Sequence, residues 1–241
     1  MAIYAIGDLH LPGGDNKPMN VFGDHWSGHF ERICQDWISR VRDEDTVLIP
    51  GDISWAMQLD DALPDLESIG RLPGTKVLLR GNHDYWWSGI SRLRDVLPKG
   101  MFAIQNDAIR LGSTAVCGTR GWTLPGGSAT PEDEKIYRRE LQRMEMSLNR
   151  ALKLGTDRLV VMCHYPPLGE NGAETPLSEL LSHYPVDDVV YGHLHGPSLR
   201  SAVNGLCRGI RYHCVSCDGL QFQLFRLPDE KVERCPTITT E

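Results

Sequence analysis

Five apolar runs of this chain end in residues that could do chemistry. Residues 77–79 lead into Arg80-Gly81-Asn82-His83-Asp84, residues 3–6 into Gly7-Asp8-Leu9-His10, and residues 47–50 into Gly51-Asp52. Later, residues 159–163 end in His164 and residues 189–191 in Gly192-His193-Leu194-His195. Asp8, His10, Asp52, Asn82, His164, His193 and His195 are oxygen and nitrogen donors with no thiolate among them. Such a set suits Mn, Fe or Zn better than Mg or Ca, because imidazole favours transition metals. We place manganese first. Seven donors are too many for one open catalytic ion. They fit two ions about 3.5–4 Å apart that share a carboxylate and a water, which becomes hydroxide near neutral pH. The same pair of ions clamps phosphoryl oxygens, so the matching reaction is metal-assisted phosphoester hydrolysis.

The elements that position these residues follow from periodicity. On extended chain, residues i and i+2 share a face, so Asp8 and His10 are expected to point together, as are His193 and His195. Taken singly, Asp8 could equally cap a turn and His10 could equally pack. Helical spacing of apolar residues marks 30–41, 59–72, 86–97 and 131–154. The order strand, helix, strand, helix, strand, helix predicts parallel strands with helical crossovers, whose ligands gather beyond the carboxyl ends. Short strands follow at 102–105, 108–111 and 114–117, with Gly112-Ser113 as a hairpin turn. Thr130-Pro131 followed by three acids is a helix start signal. Residues 210–215 and 220–227 read as closing antiparallel strands that extend a second sheet. The polar tail after Pro228 is expected to fray. Asp60, Asp61, Asp65 and Glu67 read as a solvated helix face, and His25 and His29 as surface residues. We see no linker and no internal repeat, and expect a single domain over residues 1–241.

Bulk properties narrow the function. The chain has 241 residues, 41% hydrophobic and 24% charged, with a formal net charge of -7. That balance argues against affinity carried by a nucleic-acid backbone, though not against a small phosphorylated substrate. No run reaches the ~20 apolar residues of a membrane span. Met1 runs almost directly into the first motif, so we expect no signal peptide and a cytoplasmic protein. Seven cysteines without a secretory signal argue against a disulfide framework. Cys214 and Cys217 form a lone CxxC, expected to be packing. Trp55, Trp86, Trp87 and Trp122 follow motif turns and either wall a pocket or fill the core, with the core favoured. Arg80 and Arg120 either reach substrate or pair with nearby acids.

In combination, Gly-Asp-Leu-His at 7–10, Gly-Asp at 51–52, Gly-Asn-His-Asp at 81–84, His164 and Gly-His-Leu-His at 192–195 resemble the calcineurin-like metallophosphoesterase superfamily. The blocks stand in the family's order along some 190 residues. The resemblance implies an α/β fold, a two-sheet β-sandwich of mixed strands flanked by α-helices. It implies that Asp8, His10 and His195 hold one metal, that Asp52 bridges, and that Asn82, His164 and His193 complete the second. It also implies that His83 assists the leaving group and that Asp84 holds the His83 ring in its protonated form. One departure bears on substrate. Protein Ser/Thr phosphatases of this superfamily extend the second block with Asp-Arg-Gly and end the third in Glu. Here Ile53-Ser54-Trp55-Ala56 follows Asp52, and Asp84 ends the third block. That points away from phosphoproteins and towards a small or nucleic phosphoester.

Two other readings stay open at this stage: a nucleotide phosphodiesterase or nuclease, and a catalytically silent metal-binding scaffold. A scaffold would be expected to have lost ligands, and none is missing. Loops 11–27 and 119–131 border the motifs and carry no pattern that names a substrate.

Overall fold

A computed structural model describes residues 1–14, 19–126 and 129–232. The first sheet holds β1 (Ile3–Ala5), β2 (Thr46–Pro50), β3 (Thr75–Leu79) and β4 (Met101–Ala103), all parallel. The crossovers are α1 (His29–Arg40), α2 (Leu59–Gly70) and α3 (Ile90–Val96). The second sheet opens with an antiparallel hairpin, β5 (Ala108–Leu111) and β6 (Thr114–Gly118). β7 (Arg158–Met162) and β8 (Asp188–Tyr191) continue it in parallel, and β9 (Gly205–Cys207) and β10 (Ile210–Cys214) close it. α4 (Pro131–Leu152) and α5 (Pro176–Ser182) cover its outer face.

Strand residues alternate between two apolar layers, as a period of two requires. Ile3 and Ala5 of β1, Leu48 of β2, and Val160 and Met162 of β7 fill one cluster between the sheets. Their neighbours Tyr4, Val47 and Ile49 pack outward with Ile33, Trp37 and Leu66 of the helices. On the other side Leu159 and Val161 pack with Met144 and Leu148 of α4. The result is a two-sheet sandwich between helical layers. Among the described residues, no helix is long and apolar enough to cross a membrane.

The closing segment departs from expectation. β10 runs parallel to β8, pairing Arg211 with Asp188, and only β9 is antiparallel to it. Residues 220–227 give a two-residue strand, β11 (Phe225–Arg226), which pairs antiparallel with β1 in the first sheet. Residues 86–89 are not helical, and α3 begins only at Ile90. α4 starts where its signals lie, with Thr130 and Asp133 closing a reciprocal capping box. Of the tail expected to fray, residues 233–241 lie outside the described residues, as do 15–18 and 127–128 of the two bordering loops.

Candidate functional site

All five motif turns leave carboxyl ends of parallel strands and meet at one end of the two sheets. Their backbone is not the extended chain that the i, i+2 argument assumed. Asp8, His10, Asp52 and His193 all sit at positive φ, between 45° and 72°. Such conformations are costly for residues with a Cβ and cluster where geometry serves function. Asp8 and His10 still converge, but His193 and His195 turn to different partners. Glycine permits the close approach at two points. A Cβ on Gly81 would lie 2.1 Å from Asp52 Oδ1, and one on Gly192 would lie 2.3 Å from Asp8 Oδ2.

Two groups of donors result. In the first, ring nitrogens of His10 and His195, with a carboxylate oxygen of Asp8, lie within 4.8 Å of one another. His10 Nε2 faces His195 Nε2 at 3.4 Å, and Asp8 Oδ1 lies 3.4 Å from His195 Nε2. In the second, Asn82 Oδ1 stands 2.7 Å from His164 Nε2 and 2.9 Å from His193 Nδ1. Asp52 Oδ2 stands between the groups, 3.8 Å from His10 Nε2 and 3.5 Å from His164 Nε2.

The electrostatics of this arrangement suit divalent cations. Burial, opposed by the Asp8 charge, pushes His10 down to about 3, and burial likewise takes His164 to about 4. Both rings are therefore neutral at pH 7, the state in which imidazole binds metal. His164 Nδ1 donates to the Pro50 carbonyl at 3.0 Å, which leaves the Nε2 lone pair aimed at the lone pairs of Asn82 Oδ1. Acceptors set against each other at that distance call for a cation. Asp52 makes the same demand: burial, then the charges of Asp84 and Asp8, lift it to about 9. His10 Nδ1 is buried with no hydrogen-bond partner. Burial opposes charge on His195 too, but hydrogen bonds to Asp218 and Asp8 overrule it and raise the ring to about 10, so this ring holds a proton that a bound cation would displace.

Asp84 corrects the expectation drawn from the sequence. Its carboxylate does not hold the His83 ring. Oδ1 accepts from the backbone N–H of Ile53 (2.8 Å) and Ser54 (3.2 Å) and from Trp86 Nε1 (3.0 Å). Oδ2 accepts from the N–H of Asp52 (2.9 Å) and Gly81 (2.7 Å). Five donors exhaust a carboxylate. Asp84 clasps the second and third motif turns together, and the His83 N–H then fixes Asp52 Oδ1 at 2.8 Å. The His83 ring leans on Trp55, with centroids 4.6 Å apart, and burial lowers it below the usual imidazole value. Asp84→Asn is expected to cost about 2–3 kcal/mol, because an amide NH2 must face buried N–H donors. Thermal melting and bound-metal content should fall together; a residue that acted only through His83 would move neither.

Asp218 is the functional residue that the sequence reading missed. It follows the end of β10, and Oδ1 accepts from His195 Nδ1 at 2.9 Å while Oδ2 accepts from the Gly196 N–H at 3.0 Å. That contact turns His195 Nε2 towards Asp8 and His10. The signal was its place at a strand end, obscured by the CxxC beside it. Those cysteines separate into different cores, Cys214 with the helices of the second sheet and Cys217 with those of the first.

Neighbouring residues sort differently from expectation. His29 is buried, its Nε2 on the Leu9 carbonyl at 2.8 Å, whereas His25 is exposed. Asp65 is buried rather than solvated and accepts from the Gly13 N–H and the Ser54 hydroxyl. Of the four tryptophans considered, Trp55 lines the cavity beside His83, while Trp86 and Trp87 are buried and Trp122 packs on Tyr165. Arg80 and Arg120 share a small cleft with Glu140, whose carboxylate is occupied by Thr119, Gly121 and Arg143.

Comparison with the curated proteins gives no match. Among solved structures, the chain is similar to a phosphopantetheinyl hydrolase from Mycobacterium tuberculosis, with a TM-score of 0.58 and 14% identity. The match covers 97% of this chain and 98% of that one. A protein of unknown function from Aquifex aeolicus aligns with a TM-score of 0.50 and 16% identity, over 93% of this chain and 95% of its own. At those identities the likeness concerns the fold. The family model for calcineurin-like phosphoesterases matches residues 1–197. That span contains all five motif turns, and the chain belongs to the calcineurin-like phosphoesterase family, as a metal-dependent phosphoesterase.

Proposed function

We propose that this protein hydrolyses a small phosphomono- or diester with two divalent transition-metal ions, manganese first among Mn, Fe and Zn. Asp8, His10 and His195 would hold one ion, and Asn82, His164 and His193 the other. The observation that carries this reading is Asp52 Oδ2, placed within 4 Å of an imidazole nitrogen from each group. When bound, two adjacent dications supply a strong nucleophile from water at neutral pH and offset charge on the phosphoryl oxygens.

The chain's own residues do the rest. Pro50 and Asp218 fix which nitrogens of His164 and His195 face inward. Asp84 locks the turns that carry Asp52 and Asn82. His83, held against Trp55 at the cavity wall, stands ready to donate an N–H to the departing oxygen. The six described cysteines are free thiols, which accords with a cytoplasmic location.

The test is turnover of bis-p-nitrophenyl phosphate and of p-nitrophenyl phosphate with Mn²⁺. His83→Ala is expected to keep its metal content and lose about a hundredfold in kcat. Metal-loaded wild type that turns over neither ester would overturn the proposal.

A further inference from the structure

Beside the donor groups lies a cavity of about 400 Å³, within the usual size for a small-molecule pocket. His10, His83 and His195 form its inner edge, so it is continuous with the site. Aromatic and thioether surfaces make up much of its other walls, with His25, Gly196, Pro197 and Asp218 beside them. Trp55 stacks on His10 with centroids 4.7 Å apart and planes 19° from parallel. Trp26 sits 5.8 Å from His195 and 5.2 Å from Phe222. Met19 and the 62%-exposed Phe22 line the outer part.

Some polar atoms of these walls are already engaged. Trp55 Nε1 donates to Met19 Sδ at 3.2 Å, and both oxygens of Asp218 are taken by His195 and Gly196. Among the described residues, no lysine or arginine lines the cavity. A flat ring there would meet the aromatic surfaces of Trp55, Trp26 and Phe22.

We infer that this cavity receives the leaving group of the substrate, and that this group carries a flat aromatic or heteroaromatic ring. The inference rests on the proposed phosphoester hydrolysis: an ester oxygen departing at His83 would deliver its substituent into this space.

Phenyl and hexafluoroisopropyl esters, whose alcohols are of similar acidity, separate ring recognition from leaving-group chemistry. With Mn²⁺-loaded enzyme, offered both as monoesters and as methyl diesters, the phenyl ester should be favoured about tenfold in kcat/KM. Phe22→Ala and Trp26→Leu should reduce that preference towards parity, mainly through KM. Should Trp26→Leu fail to fold, the exposed Phe22 carries the comparison alone. Binding of 1-naphthol, followed by tryptophan fluorescence, reads the pocket without turnover and should weaken in both variants. Equal kcat/KM for the two esters, or naphthol binding that neither variant changes, would overturn the inference. Absence of turnover on every ester would instead count against the hydrolase reading, and naphthol binding alone would then decide the pocket.

Discussion

Asp52→Asn is expected to abolish turnover, by about 10³-fold or more, and to reduce bound metal from about two ions per chain to one or fewer. The geometry sets that size. Oδ1 accepts from the His83 N–H, and Oδ2 is the atom that stands between His10 and His164. An amide keeps the shape but turns an NH2 towards one of those positions, so a joint anionic ligand is lost. Unfolding would not explain the result. In the metal-free protein Asp52 is a buried carboxylate crowded by Asp84 and Asp8, so the metal-free variant should melt no lower than metal-free wild type. Inductively coupled plasma analysis, calorimetry and turnover on one preparation separate these effects. A variant that retains two ions and the wild-type rate would show that Oδ2 is not shared. The contrast with His83→Ala, which should keep its metal, divides ion binding from leaving-group assistance.

The donors were legible because each stands where an apolar run stops, a position that local pattern exposes. Their backbone was not. Positive φ at Asp8, His10, Asp52 and His193 is imposed by the pairing of neighbouring turns, such as the Asp8 N–H on the Gly51 carbonyl. The part played by Asp84 was hidden for the same reason, since three of its partners lie some thirty residues away at 52–54. Trp26 and Phe22 sit in a loop without periodicity, brought to the cavity by two short 3-10 turns (Met19–Phe22 and Asp24–Trp26). Strand direction was the plainest failure. In Ile210-Arg211-Tyr212-His213-Cys214, polar residues alternate with apolar ones, which reads as a half-solvated antiparallel strand. The strand is instead largely buried, and its polar face meets Asp188 of the parallel neighbour.

Removing Asp188 should therefore have the largest effect on stability away from the site. Its side chain is fully buried at the start of β8, with Arg158 of β7 on one side and Arg211 and His213 of β10 on the other. Arg158 contacts it at 2.6 Å, Arg211 at 2.8 Å and His213 at 2.9 Å. Asp188→Asn leaves guanidiniums with little exposure and no anion between them, which typically costs about 3–5 kcal/mol. For a chain of this size that lowers Tm by roughly 6–20 °C. Burial works against the charge of Asp188, but hydrogen bonds from His213, Arg211 and Arg158 outweigh it and hold the group well below the usual 3.8. A lowered folded-state value contributes stability that is complete above the unfolded value and is lost as pH falls through the folded one. Wild type should accordingly lose this contribution below about pH 4, while Asp188→Asn, having none to lose, should show a shallower acid limb. Urea midpoints measured from pH 3 to pH 7 check both the offset and the slope. Parallel curves for the two proteins would mean that the cluster is held by packing rather than by the charge of Asp188.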